Sequence, residues 1–309
     1  MPSAVVFAYH NVGVRCLSVL LAHGVNVALV VTHSDNPAET IWFDSVAELA
    51  ARHDIPVITP DEPNTPEVIE RIAVLRPDFV FSFYYRHMLK QEILEIPKRG
   101  AFNMHGSLLP KYRGRVPVNW AIIKGEKETG ATLHVMNEKP DNGAIVDQQD
   151  VPILPDDTAL EVFHKVCCAA EVALDRCLPG LLVGTAQFRP QDLSLGGYFG
   201  GRRAEDGKIR WARTAREIHD LVRAVAPPYP GAFTQLAGKP MRVLRTMQVP
   251  NRPCRGAQPA FYCEHGRCYA DCGDGKVLRV LAFELDGKAL GAEEFTARFG
   301  NEAVPFEDY

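Results

Sequence analysis

The first hundred residues alternate short runs of β-branched and aromatic residues with stretches of helical spacing, a pattern that points to a parallel sheet wound with helices. Ala4-Val5-Val6-Phe7-Ala8 reads as a first strand, and Val14 to His23 as a helix carrying Leu17, Leu20 and Leu21 on one face. Val25 to Val31, apolar but for Asn26, reads as a second strand of the kind buried on both faces. A helix over 45–52, a short strand at Pro56-Val57-Ile58, a helix from Pro66 to Leu75 and a strand from Asp78 to Phe83 complete a βαβαβαβ half. The expected fold class is α/β, a Rossmann-like domain with a mostly parallel sheet.

Sheets of this kind bind ligands outside the carboxyl ends of their strands, so the loops there carry the functional signal. The first strand runs into Tyr9-His10-Asn11-Val12-Gly13, which is not the G-x-G-x-x-G of a dinucleotide site. From Ala101 to Ala121 the chain shows little periodicity and reads as a functional loop holding Asn103, His105, Gly106, Pro110, Gly114 and Pro117. A strand at Gly130 to Met136, a loop at Asn137 to Gly143 and a strand at Ala144 to Val151 follow. Thr158 to Leu181 reads as a long amphipathic helix with Thr158 as its N-cap and Pro179-Gly180 at its end.

Beyond about Ala186 glycine and proline become dense and only Ala215 to Val225 is convincingly helical; strands are expected at Met241 to Leu244, Ala260 to Cys263 and Lys276 to Phe283. With 309 residues the chain is long for one domain. We therefore expect a catalytic domain over 1–186 and a smaller β-rich, OB-like domain over 187–309.

Composition narrows the classes of function. A hydrophobic fraction of 46% with 23% charged residues suits a packed globular protein, and a net charge of −4 gives no electrostatic footprint for nucleic acid. The N-terminus has no signal-peptide pattern and no stretch has the apolar length of a membrane span, so a cytoplasmic protein with neither a nucleic-acid nor a membrane partner is expected. Cys263-x4-Cys268-x3-Cys272, near Cys254 and His265, invites a zinc site, but without C-x2-C spacing these residues read more simply as small side chains on the strands of a β-domain.

Asn103-Met104-His105 carries the chemical signal. In an extended stretch, alternation puts Asn103 and His105 on one face, where an amide donor and an imidazole can converge on one carbonyl. Asp141, in the turn Pro140-Asp141-Asn142-Gly143, supplies a carboxylate. Transfer of an acyl group to an amine needs these three roles: an oxyanion donor, a proton acceptor and a group that orients or tunes the acceptor. Taken singly, each residue has an ordinary structural explanation, since Asn-x-His is short and Pro-Asp-Asn-Gly suits any hairpin.

The longer string FNMHGSLLPKYRGRVPVNWAIIKGEKETGATLHVMNEKPDNGAIV, from Phe102 to Val146, resembles the formyltransferase family, whose catalytic Asn, His and Asp fall without a gap on Asn103, His105 and Asp141. The family's Ser-Leu-Leu-Pro element falls on Ser107 to Pro110. Within the family, Val5 to His10, Thr32 to Pro37, Phe81 to His87, Gly201-Arg202-Arg203 and Val222 to Ala226 look most like the branch that formylates UDP-4-amino-4-deoxy-L-arabinose in lipid A modification. There the transferase is fused to a decarboxylase half for which a chain ending at Tyr309 has no room, so a stand-alone transferase is expected.

The resemblance implies 10-formyltetrahydrofolate as co-substrate, no metal, and a nucleotide-linked amino-sugar as partner. The folate is expected along Tyr84, Tyr85, Arg86, His87, Met88 and Leu89, which can offer apolar walls and backbone hydrogen bonds to a pterin, and at Ser107. For the acceptor the candidates are Tyr9, Arg113, Arg115, Arg202 and Arg203, the last two suited to a diphosphate. Tyr198 to Arg223 carries seven basic and four acidic residues, a pattern a solvated face would also show. Two alternatives stand beside this reading. A methionyl-tRNA formyltransferase needs a basic surface that the acidic total disfavours, and a silent binding module has no need of all three catalytic residues. Amino-sugars linked to dTDP or GDP remain open as acceptors.

Overall fold

A computed structural model describes residues 1–37 and 40–307. The chain forms two compact units, one of residues 1–117, 128–152 and 163–200, the other of residues 118–127, 153–162 and 201–309. Among the described residues no helix is long and apolar enough to cross a membrane.

The first unit follows the apolar runs closely. Strands β1 (Ser3–Ala8), β2 (Asn26–Val31), β3 (Val57–Ile58), β4 (Phe79–Phe83) and β5 (Ala101–His105) pair in parallel in the order β3-β2-β1-β4-β5. Helices α1 (His10–Ala22), α2 (Val46–Arg52), α3 (Pro66–Leu75) and the single turn α4 (Gln91–Leu94) make the connections. Their starts are set by local chemistry: the Ser45 hydroxyl accepts from Glu48 N–H and the Thr65 hydroxyl from Val68 N–H, with Pro66 in the first turn of α3. Val5, Phe7, Leu29, Val31, Val80 and Leu89 form one buried cluster of this unit.

The stretch from Ala101 is not the continuous loop that its irregular sequence suggested. It opens as β5, includes the two-residue strand β6 (Arg113–Gly114), and ends in helix α5 (Pro117–Ile123), which apart from Pro117 belongs to the second unit. Proline at the first helical position and glycines in the loop conceal these short elements from a reading by periodicity. Strands β7 (Glu128–Val135) and β8 (Ile145–Pro152) then extend the sheet antiparallel beside β5. Helix α6 (Ala159–Val183) starts after Thr158, as expected, and runs two residues past the expected Leu181, with Pro179-Gly180 inside its last turns. Buried Leu178 and Leu181 hold its last turn against the core, and the Arg99 guanidinium donates to the carbonyls of Leu181 and Leu182 at 2.7 and 2.9 Å, closing the helix end. The two-residue strand β9 (Tyr198–Phe199) pairs with β6.

The second unit is β-rich. After helix α7 (Ala215–Ala224), which opens on a Thr214/Glu217 capping box, strands β10 (Ala232–Leu236), β11 (Lys239–Val249), β12 (Ala260–Glu264), β13 (Arg267–Asp271) and β14 (Val277–Leu285) are joined by the two-residue β15 (Lys288–Ala289), helix α8 (Ala292–Phe299) and β16 (Val304–Pro305). The antiparallel order is β10-β11-β14-β13-β12-β16, with β15 on β14, and a bridge between Leu236 and Phe306 joins its two edges. The expected strands at Met241, Ala260 and Lys276 are there; β10, β13 and α8 add to them. Trp211 is fully buried, stacks on Phe306 with centroids 3.8 Å apart, and donates from Nε1 to Thr234 Oγ1 at 3.0 Å.

Candidate active site

In the first unit the strand order reverses between β1 and β4, where an open parallel sheet forms its crevice. Tyr9 and His10 leave β1 there and Tyr84 and Tyr85 leave β4, tied by a hydrogen bond from Tyr9 N–H to the Phe83 carbonyl. The next strand, β5, carries Asn103 and His105 two residues apart and hence on one face. Asp141 comes from the turn between β7 and β8 and holds a left-handed φ of 56°. All three predicted catalytic residues thus meet within one unit.

Asp141 is the hub. Its Oδ2 accepts the Gly114 N–H at 2.8 Å, while Oδ1 lies 3.4 Å from His105 Nδ1, 3.4 Å from His134 Nε2 and 3.5 Å from Asn103 Nδ2. Burial by itself would raise this carboxyl, but the charges that His105 and His134 carry when protonated, the hydrogen bond that a protonated His134 gives and the Gly114 N–H outweigh it, holding Asp141 well below the usual carboxylate range. A carboxylate so stabilised is a poor proton acceptor and a good fixed counter-charge.

His105 differs from expectation in one respect. Its tautomer is set by the Tyr112 carbonyl, which faces Nε2 at 2.8 Å and can only accept. The Nε2 hydrogen is committed there, so Nδ1 is the nitrogen turned toward Asp141. The loop that presents Tyr112 is held by Thr132, whose hydroxyl donates to the Ser107 carbonyl at 2.6 Å and accepts from Leu109 N–H at 3.1 Å, and by Gln148, which donates to the Leu109 carbonyl at 2.9 Å.

His134 escaped the sequence reading. In the register of β5 against β7 it stands directly opposite Asn103, and Thr132 opposite His105. The His134 Nδ1 faces its neighbour's carbonyl, Val135 O, at 2.9 Å, which leaves Nε2 to accept from Asn103 Nδ2 at 3.2 Å. Gln191 escaped as well: its amide donates to the Asp141 and Gly143 carbonyls at 3.1 and 2.6 Å and pins the turn that delivers Asp141. The available signal was the placement of two polar residues, Thr132 and His134, on one face of a strand whose other face, Ala131 and Leu133, is apolar.

The other predicted residues divide. Arg86, His87 and Met88 are exposed at the carboxyl end of β4, and Tyr85 stacks on His33 at 4.2 Å with its hydroxyl buried and unpartnered among the described residues. Tyr84 lies against Gly106, where an added Cβ would sit 2.0 Å from its hydroxyl. Leu89 belongs to the core cluster, and the Ser107 hydroxyl, fully buried, donates to the Lys111 carbonyl at 2.6 Å. Tyr9 donates to Asp35 Oδ1 at 2.8 Å beneath the Arg86 guanidinium and helps line a cavity of about 600 Å³ with Thr32, His33, Asp44 and Arg52; Asn103, His105 and Asp141 do not line it. Arg113 reaches the Leu193 and Gly196 carbonyls at 3.4 Å, and Arg115 is exposed. In the second unit Arg202 lies over the Trp120 ring at 4.9 Å and donates to the Asp206 carbonyl, and Arg203 is exposed.

Two expected outcomes follow from these surroundings. Gly114 has φ of +100° and a Cβ there would stand 2.2 Å from the Phe199 carbonyl oxygen, so Gly114→Ala should lower the melting temperature by about 4 °C or more and turnover at least tenfold, read by a thermal melt and an assay. Burial, with Arg86 and His164 nearby, lowers His10 from 6.5 to about 3, and burial, with His87 and Arg86, lowers His33 to about 4. Because the folded state keeps both neutral while the unfolded chain binds protons, their stabilisation is full above pH 6.5 and is lost as pH falls toward 4 and 3. Denaturant titrations across that window should show a slope that His33→Gln flattens.

An amide donor, an imidazole and a fixed carboxylate grouped beside the crevice of a mostly parallel sheet define an enzyme equipped for acyl-group transfer. The chain belongs to the formyl transferase family: residues 16–178 match its formyl transferase domain and residues 202–300 its C-terminal domain. Crystal structures share the fold. An N-formyltransferase from Helicobacter canadensis, in complex with folinic acid and dTDP-3-aminofucose, is 23% identical with a TM-score of 0.70 over 91% of this chain and 99% of that one. The sugar 3N-formyltransferase WlaRD, in the presence of dTDP and 5-N-formyl-tetrahydrofolate, is 20% identical with a TM-score of 0.70 over 94% and 98%. HypX from Aquifex aeolicus, in complex with tetrahydrofolic acid, is 16% identical with a TM-score of 0.64, covering 99% of this chain and 50% of that one.

Proposed function

We propose that the protein transfers the formyl group of 10-formyltetrahydrofolate to the amine of a nucleotide-linked amino-sugar. The observation that carries this reading is the grouping of Asn103, His105 and His134 around one half-buried carboxylate, with the exposed end of β4 next to it in the sheet. Arg86, His87 and Met88 would hold the folate there. Asn103 turns an amide hydrogen, now shared between His134 and Asp141, to the formyl oxygen as negative charge builds on it. His105 Nδ1 takes the proton of the attacking amine and returns one to the leaving nitrogen, while Asp141 stays ionised and steadies the imidazolium.

For the acceptor we put first UDP-4-amino-4-deoxy-L-arabinose, formylated on its 4-amine, because the strings at Phe81 to His87 and Gly201 to Arg203 look like the transferase half of ArnA, the bifunctional enzyme of lipid A modification. The Helicobacter canadensis relative, with its dTDP-3-aminofucose, makes dTDP-linked sugars the second reading. Incubation with each class of sugar and 10-formyltetrahydrofolate, followed by mass spectrometry of the sugar, decides between them. A formyl adduct on the UDP-arabinose sugar supports the first reading; an adduct on dTDP-sugars alone replaces it, and transfer only to methionyl-tRNA removes both.

A further inference from the structure

Cys263 and Cys268 are not used by the transfer site, and their placement is specific. They are the last residue but one of β12 and the second residue of β13, and they stand directly opposite each other in the antiparallel register. The loop between the strands has two residues, His265 and Gly266, with φ of 48° and 70°, the double positive φ of a tight hairpin turn. In such a hairpin Glu264 and Arg267 form the closing hydrogen-bonded pair, so Cys263 and Cys268 occupy the next, non-hydrogen-bonded position, where the backbones approach most closely, about 4.5 Å between Cα atoms. That spacing lies inside the range a disulfide spans, about 4.4–6.8 Å.

The side chains take up this geometry. The sulfurs are 2.7 Å apart, the two residues are 3% and 5% exposed, and both belong to the core cluster of the second unit with Phe261 and Ala270 beside them. Among the described residues no group of three or more His, Cys, Asp and Glu is arranged to hold a metal ion, so a third ligand is not at hand. We propose that Cys263 and Cys268 are a disulfide-forming pair, a cross-strand dithiol that a peroxide closes into a covalent staple of the β12–β13 hairpin.

The reaction balances within the pair. The Cys268 sulfur, as thiolate, attacks one peroxide oxygen; an S–O bond forms, the O–O bond breaks, and the departing hydroxide takes the proton given up by Cys268. The Cys263 sulfur then attacks the sulfenic sulfur; the S–S bond forms, the S–O bond breaks, and hydroxide leaves with the Cys263 proton. Two thiols and one hydrogen peroxide give one disulfide and two waters. Either sulfur can donate its S–H to the other, so the same sequence with the two cysteines exchanged gives the same disulfide.

The test uses the intact chain and no activity measurement. Protein is exposed to hydrogen peroxide, unreacted thiols are alkylated in denaturant, and trypsin is added; cleavage after Arg267 separates the peptide of Cys263, residues 256–267, from the peptide of Cys268 and Cys272, residues 268–276. The expected result is the two peptides joined, in wild type and in Cys272→Ser alike, released by dithiothreitol and absent from Cys268→Ser. A thermal melt should show the oxidised wild type unfolding several degrees above the reduced form, with no such difference in Cys268→Ser. Separate peptides alkylated at both cysteines, or a link that survives in Cys268→Ser and vanishes in Cys272→Ser, would overturn the assignment. Should Cys268→Ser fail to fold, Cys263→Ala serves as the same control.

Discussion

Replacing Asp141 by asparagine should lower kcat about a hundredfold or more while the protein remains folded. The amide has the carboxylate's shape, and its oxygen can still accept the Gly114 N–H. What it cannot supply is the charge. Once His105 takes a proton from the amine, the group 3.4 Å from its Nδ1 is then a dipole in place of an ion, in a site where the Asp141 side chain is only 12% exposed and water offers little substitute. KM for either substrate should move far less than kcat, because the charge is needed in the transition state and not for binding. Asp141→Asn should also alter stability against pH. The wild-type carboxyl sits below its ordinary range, so its contribution is present above about pH 4 and lost as pH falls further; the variant lacks that dependence. Steady-state kinetics with acid titrations of both proteins check both points, and near-normal turnover would take Asp141 out of the mechanism.

The second large effect concerns stability. Trp211→Ala should cost about 3–5 kcal/mol, enough to unfold the second unit or leave it marginal, because it empties the largest fully buried side chain of the protein. The loss has two parts: the ring stacked on Phe306 at 3.8 Å with planes 5° apart, and the indole hydrogen bond that satisfies Thr234, itself 1% exposed. Phe306 forms, with Leu236, the bridge that joins the edges of the sheet, so the cavity opens where β10 meets the segment after β16. Trp211→Phe keeps most of the stack and strands only the hydroxyl; it should cost about 1–3 kcal/mol. Denaturant unfolding of the three proteins measures this, and equal midpoints for wild type and Trp211→Ala would contradict it.

The elements that the sequence made legible are those that obey one periodicity over enough residues. Ala4 to Ala8 and Val27 to Val31 are apolar throughout because both faces of a parallel sheet are covered, and α3 begins and ends where Thr65, Pro66 and the left-handed Arg76 place it. Asn103, His105 and Asp141 were legible through a long string and not through their own spacing. The residues that complete the site were hidden for a physical reason. Tyr112 and Gly114 act through their backbones, which no side-chain pattern reports, and His134 and Gln191 reach Asn103 and Asp141 only through strand register and a turn separated from them by dozens of residues. A strand pattern gives the face of His134, but the register against β5 gives its partner.

The measurement that tests the account most directly is release of tetrahydrofolate from 10-formyltetrahydrofolate, followed with and without UDP-4-amino-4-deoxy-L-arabinose and dTDP-linked amino-sugars, in wild type and His105→Ala. Acceptor-dependent release matched mole for mole by formylated sugar is expected, with a loss of about a hundredfold or more in the variant. Release that ignores the acceptor, or that His105→Ala sustains at the wild-type rate, would contradict it.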